Sequence, residues 1–169
     1  MQEGDIMSCN QKSRVALFPG SFDPFTVGHE DIVRRALNLF DRVVVAVGVN
    51  SAKRGLLEPE ARVRLIERVF ADEPRVEVSR YEGLTVEECH RVGAEWIVRG
   101  VRGASDFEME RTNAMVNGVV APDVETVMIC TRSEYEVVSS SVVRELLTFG
   151  GDVARFLPEG ININEYLNK

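Results

Sequence analysis

Five short apolar, β-branched runs punctuate the chain: Val15 to Phe18, Arg42 to Val49, Val76 to Ser79, Trp96 to Arg99 and Thr126 to Cys130. Each has the roughly four-to-eight-residue length of a buried strand. Between them the apolar spacing changes to that of a helix. Val33, Ala36, Leu37 and Phe40 fall on one helical face, Val63, Ile66, Val69 and Phe70 repeat the pattern, and Val142, Val143, Leu146 and Leu147 do so again. This alternation predicts an α/β chain with a doubly wound, mostly parallel five-stranded sheet and helices on both faces. Ligands of such sheets sit outside the carboxyl ends of the strands, near the point where strand order reverses.

A length of 169 residues suits one domain with a single substantial core. No repeat, low-complexity tract or linker divides it. Residues 1–13, MQEGDIMSCNQKS, carry no periodic pattern and are expected to be a flexible extension, with Met7 as another candidate start, ahead of a domain over 14–169. They lack the basic start and apolar core of a signal peptide, and the longest β-rich run is far too short to span a bilayer. The tail PEGININEYLNK is predicted to add a last short helix.

The net charge of −7 argues against a broad nucleic-acid surface, which needs many Lys and Arg contacts to phosphates. Any phosphate site must therefore be local. Cys9, Cys89 and Cys130 are odd in number and show neither CxxC spacing nor a nearby His pair, so neither a disulfide framework nor a zinc site is indicated. A reducing cytoplasm is expected, with no membrane and no nucleic acid as partner.

Four segments carry chemistry. PGSFDPFTVGH, from Pro19 to His29, joins the first strand to the first helix with about ten residues, where two to six are usual, so a function is suggested. Ser21, Thr26 and His29 supply hydrogen-bonding groups beside a helix N-terminus, where free N–H groups and the helix dipole favour anions. A lone His capping a surface helix is the plainer reading; its setting in this loop favours function. Next, VNSAKRGLLEPEARV puts Lys53 and Arg54 at the end of the second strand, before a helix opened by Glu58 and Pro59. Cations there can hold an anionic substrate, although paired Lys and Arg in a loop are most often only solvated.

Third, WIVRGVRGASDFEMER delivers Arg99 and Arg102 on either side of Gly100, ahead of a helix with Asp106, Glu108 and Glu110. Arginine forks bind phosphate bidentately, and Gly100 and Gly103 let backbone approach a ligand. The structural alternative is salt bridging to the following acids, which is expected to leave one guanidinium free. Last, SEYEVVSSSVVREL places Ser139, Ser140 and Ser141 at a helix start, with Arg144 one turn inside. Capping explains one serine; the other hydroxyls and N–H groups are suited to phosphate.

Together the four segments, over about Arg14 to Pro158, resemble the phosphopantetheine adenylyltransferase family, within the nucleotidyltransferase superfamily and its Rossmann-like fold. TVGH matches the superfamily's (H/T)xGH signature; PGSFDPFTVGH, RGVR with DFEMER, and SSSVVRE narrow the resemblance to the family. It implies transfer of AMP from ATP to 4′-phosphopantetheine, giving dephospho-coenzyme A and pyrophosphate with Mg²⁺. It implies catalytic roles for His29, Lys53 and Arg102. ATP contacts would come from Ser21, Phe22, His29, Gly100, Val101, Arg102 and Glu110, and from Tyr135, Glu136, Val137, Val138, Ser139, Ser140 and Ser141. Acceptor contacts would come from Ser21, Lys53, Thr85 and Arg99. The metal's ligands are left unassigned, and a homohexamer inhibited by coenzyme A is the family expectation. The chain departs from the common family pattern at Ser21 for Thr, Thr85 for a larger apolar residue and Tyr135 for Trp.

Rival readings are a related adenylyl- or cytidylyltransferase acting on another phosphorylated small molecule, such as nicotinate mononucleotide, and a nucleotide-binding module without catalysis. A dehydrogenase is disfavoured, because no GxGxxG follows the first strand.

Overall fold

The computed structural model describes residues 12–50 and 54–167. Lys53 and most of the expected N-terminal extension thus lie outside the described residues. Five parallel strands form one sheet: β1 (Val15–Gly20), β2 (Arg42–Gly48), β3 (Val76–Tyr81), β4 (Trp96–Val101) and β5 (Glu125–Cys130), in the order β3-β2-β1-β4-β5. Every pairing is parallel, so the sheet is more uniform than the mostly parallel one expected. The chain winds outward from β1 in one direction, then returns to β4 and winds in the other. The switch point therefore falls between β1 and β4.

The two-residue period of the strands divides the core. Ala16, Phe18, Val43, Val45 and Val47 face one side, against α1 (Val27–Ala36), α2 (Pro59–Val69) and α5 (Ser140–Thr148). Val15, Leu17, Val44, Ala46 and Ile97 face the other, against α3 (Thr85–Val92) and the end of α4 (Ala104–Val120). Cys89 belongs to that second layer, where burial pushes its thiol up to about 12 and keeps it protonated. Cys89 and Cys130 are both free thiols.

Two sequence expectations need amending. The run between β3 and β4 forms the short helix α3, which no periodic pattern had announced, and the tail gives only a 3₁₀ turn over Ile163–Glu165 in place of a helix. Ile163 and Tyr166 nevertheless plug into the main core, and the turn adds the Tyr166 and Leu167 N–H groups donated to the Ile163 carbonyl at 3.0 and 3.2 Å. In α4, Glu110 is the one buried residue, while Met109, Met115, Val116, Val119 and Val120 are exposed. No described helix is long and apolar enough to cross a membrane.

Candidate active site

The site exists because β1 and β4 separate. Their register covers only Ala16↔Trp96 and Leu17↔Ile97, so beyond Leu17 the two strands no longer pair. Pro19 carries no N–H for a ladder, and its carbonyl instead accepts a hydrogen bond from the Arg99 guanidinium. Past this bridge lies a cavity of about 330 Å³, lined by Ser21, Phe22, His29, Gly100, Arg102, Tyr135 and the serines 139 to 141, among others. Three of the four segments singled out in the sequence thus meet at the switch point.

Helix α1 starts with a reciprocal cap. Thr26, in extended conformation, accepts the His29 N–H through Oγ1, and His29 Nδ1 accepts the Thr26 backbone N–H at 3.0 Å. A backbone N–H can only donate, so Nδ1 carries no proton and Nε2 must carry it. Burial, and then the charges of Arg102 and Arg99, push the imidazole down to about 4. At neutral pH His29 is therefore an uncharged ring with its one N–H turned away from the cap. The capping role occupies Nδ1 and leaves the Nε2–H available to a ligand.

Aromatic packing holds that ring still. Phe22 meets it edge-on at 5.2 Å between centroids, and Phe25 lies at 5.3 Å. Phe22 itself sits at φ 47°, a left-handed conformation uncommon for a bulky residue, and is almost fully buried. A β-carbon on Gly20 would come within 2.8 Å of the Phe22 ring, which explains why glycine stands there.

The loop is tied from behind by Asp23 and Arg62, which sequence reasoning missed, and by Arg144 and Ser140 of the serine segment. Asp23 accepts the N–H groups of Leu56 and Leu57, each at 2.8 Å, and pairs with buried Arg62. Arg62 also donates to the carbonyls of Leu57 and Ser21. Arg144 donates to the Asp23 carbonyl at 2.6 Å, and the Ser140 hydroxyl to the Pro24 carbonyl at 2.8 Å. The signal available in the sequence was an Arg on the apolar side of α2, next to Ala61 and one turn before Leu65 and Ile66.

Both arginines of RGVR are salt-bridged, contrary to the expectation that one would stay free. Arg99 is bound by both carboxylate oxygens of buried Glu110, and Arg102 by Asp106 at 2.8 Å. The reason is helical: α4 begins at Ala104, so Asp106 and Glu110 stand one turn apart facing the end of β4. Arg102 still lines the cavity and is about two-fifths exposed, while Glu110 is occupied by Arg99 and Asn113. Gly100 also serves packing, since a β-carbon there would lie 3.1 Å from Ile32.

The serines divide their tasks. Ser139 caps α5 by accepting the Val142 N–H, Ser140 donates to Pro24, and Ser141 accepts from Arg144. The first N–H groups of α5 have no partner within the helix, as at any helix start, and they open on the same cavity. Val101 is buried in β4, and Glu136 and Val137 are exposed; none of these three lines the cavity. Thr85 lies elsewhere, in a second cavity of about 310 Å³ with Asn113, Asn117 and Thr126. Pro19, Arg99 and Glu110 line both cavities and form the wall between them.

Comparison with known proteins agrees with this layout. A family described as cytidylyltransferase-like matches residues 17–146. Proteins named phosphopantetheine adenylyltransferase are similar over nearly their whole length. The one from Phocaeicola vulgatus is 48% identical over 151 residues, 89% of this chain and 99% of its own. Those from Porphyromonas gingivalis and Caldanaerobacter subterraneus subsp. tengcongensis are 50% and 47% identical, over 88% and 86% of this chain and 97% and 91% of theirs. Among solved structures, a bifunctional NMN adenylyltransferase/ADP ribose pyrophosphatase from Francisella tularensis superposes with a TM-score of 0.68 at 14% identity. That match covers 90% of this chain but only 47% of the other, and it speaks for the fold alone.

Proposed function

Because the chain belongs to the phosphopantetheine adenylyltransferase family, we propose that the paired cavities perform its reaction, with ATP in the larger and 4′-phosphopantetheine in the smaller. The enzyme transfers the adenylyl group of ATP to the acceptor, a step of coenzyme A synthesis. One observation carries the assignment of the cavities: they share the wall of Pro19, Arg99 and Glu110, so two ligands would meet at a guanidinium.

An oxygen of the acceptor phosphate attacks the α-phosphorus of ATP, and the bond from that phosphorus to the bridging oxygen of pyrophosphate breaks. The protein forms no covalent intermediate. Its work is to bring two anions together and to stabilise the charge that builds on the α-phosphoryl oxygens. The neutral His29 Nε2–H is suited to the second task, because its donor geometry is set by the Nδ1 cap before substrate arrives. Arg102, Arg144 and the N-termini of α1 and α5 offset the triphosphate charge, and Arg99 faces the acceptor phosphate. Ser21 lines the larger cavity and Thr85 the smaller; on the resemblance we assign Ser21 to both substrates and Thr85 to the acceptor's arm. We assign Lys53 to the acceptor phosphate on the resemblance alone.

Mg²⁺ suits this site as part of the nucleotide. Among the described residues no three His, Cys, Asp or Glu side chains cluster to cage a cation, and the cavity's Asp106 and Glu110 are each engaged by an arginine. Carried by the phosphates, it would neutralise charge on the leaving pyrophosphate. Coenzyme A inhibition is a natural corollary, since that molecule carries an adenosine and a pantetheine arm and would fill both cavities. A homohexamer has support in the bare apolar residues of α4, and a cytoplasmic setting in the two free thiols.

The deciding experiment compares acceptors. With ATP, 4′-phosphopantetheine should release pyrophosphate, while nicotinate mononucleotide and glycerol 3-phosphate should not; the reverse pattern overturns the assignment.

A further inference from the structure

The segment that closes the nucleotide cavity, from Thr131 to Ser139, buries little of itself. Val138 is its one buried apolar side chain, Val137 is 71% exposed, and Tyr135 is half-buried with its side chain on the cavity. A segment with so few apolar contacts depends on polar ties for its position. One tie is the Thr131 N–H donated to the Val101 carbonyl at 2.8 Å, and Arg132 lies 3.9 Å from Glu134 in the turn itself; the side-chain ties to α1 converge on one carboxylate. Asp31, in α1 two residues beyond His29 and 9% exposed, holds Arg35 through Oδ2 and Arg132 through Oδ1, both at 3.2 Å. Arg35 in turn donates to the carbonyl of Cys130, the last residue of β5, at 2.7 Å. Arg132 directly precedes the 3₁₀ turn Ser133–Tyr135, and its carbonyl accepts the Tyr135 N–H at 2.9 Å.

From this geometry we propose that Asp31 is a positioning residue for the nucleotide, fastening the Tyr135 wall to the same helix that carries His29. The two arginines hold the wall at two points, the end of β5 and the start of the turn. A single buried carboxylate keeps both in place. The wall reaches the first turn of α1 closely enough that a β-carbon on Gly28 would lie 3.7 Å from Tyr135 Cβ and from Val138 Cγ1. The distance between the Tyr135 wall and the His29 donor is thereby set within one helix. Asp31 also lies near enough to the Tyr135 phenol to raise its pKa, behind the effects of burial and of Glu134. Loosening the wall would weaken the grip on ATP without disturbing Arg99 or the acceptor cavity.

The inference rests on the larger cavity holding ATP, and the test keeps the two apart by measuring equilibrium ATP binding to the full chain, alongside KM for each substrate. Asp31→Asn should weaken ATP binding about tenfold and Arg132→Ala several-fold, with KM for 4′-phosphopantetheine changed less than about twofold. Arg132→Lys should restore part of the loss, and Arg34→Ala, one turn away on the same helix but outside the network, should leave ATP binding unchanged. Arg132 is exposed, so its variant folds even if Asp31→Asn does not. If wild-type protein binds ATP and both variants bind it equally well, or both substrates weaken alike, the positioning role is refuted. If wild-type protein binds no ATP, the assignment of the cavity fails instead.

Discussion

His29 Nδ1 and the backbone N–H of Thr26 are joined by a 3.0 Å hydrogen bond, and that bond decides which nitrogen of the ring can act on a ligand. Replacing the imidazole removes both halves of the arrangement. His29→Ala should lower kcat about 100- to 1,000-fold, the range for one preorganised donor to a developing oxyanion. ATP affinity should stay nearly unchanged, because the bond strengthens mainly in the transition state. Steady-state kinetics with direct ATP binding separate the two; a kcat near wild type would remove His29 from the chemistry. The same variant should lose about 1 kcal/mol of stability from the broken cap, readable by denaturant titration.

Because His29 titrates near 4, it stays neutral and competent well below the ordinary histidine range. The kcat profile should therefore show no inflection near pH 6.5. For stability the sign is fixed by the lowered pKa: protonation favours the unfolded chain, so the contribution is complete above about 6.5 and is lost as pH falls through about 4. A pH series of turnover and of urea midpoints, with His29→Gln as the reference, checks both. An inflection near 6.5 that disappears in the variant would contradict the low value.

Gly20→Ala tests the close approach behind the loop. Its new β-carbon would meet the Phe22 ring at 2.8 Å, and Phe22 abuts His29, so the change should cost about 1–3 kcal/mol and lower kcat together. Thermal unfolding and turnover should move in step.

Arg62 and Asp23 form a pair in which both side chains are about nine-tenths buried. Arg62→Met should destabilise by roughly 3–5 kcal/mol, since it strands a buried carboxylate. Adding Asp23→Asn should recover part of that loss, so that the double variant is more stable than the sum of the single changes. Strict additivity in denaturant titrations would show that the pair is not coupled.

If α4 lies between subunits, a charge on its bare face should disperse the assembly. Val119, 82% exposed, is the clearest position, and Val119→Asp should shift the protein to smaller species in analytical ultracentrifugation while leaving the monomer's fold intact. An unchanged sedimentation coefficient from an assembled wild type would move the interface elsewhere.

Fold class was legible in the residues alone, because strand and helix periods alternate along the chain and parallel strands must be joined by crossovers. The strands were legible to within a residue or two, as were a serine cap for α5, though not which of the three serines supplies it, and the first-turn position of His29. These are local matters, decided by spacing and by which side chains can satisfy a helix start. Helix α3 and the 3₁₀ turn of the tail were not read from the sequence: α3 is only eight residues long, so Val86, Cys89 and Val92 give its buried face few repeats, and the tail turn is shorter still.

The site itself is assembled by contacts between elements distant in the chain. Nothing in RGVR reveals that Glu110 and Asp106 take both arginines, which depends on where α4 begins relative to the end of β4. Nor could spacing reveal the Asp23–Arg62 pair, the network around Asp31 or the separate cavity of Thr85. Each joins residues from different elements, and their partners are chosen by the path of the chain across the sheet. The tautomer of His29 has a local cause, yet its lowered pKa comes from burial and from two arginines about 70 residues away in sequence. Sequence proximity sets caps and periods; the desolvation and charge that tune a site come from neighbours that only folding supplies.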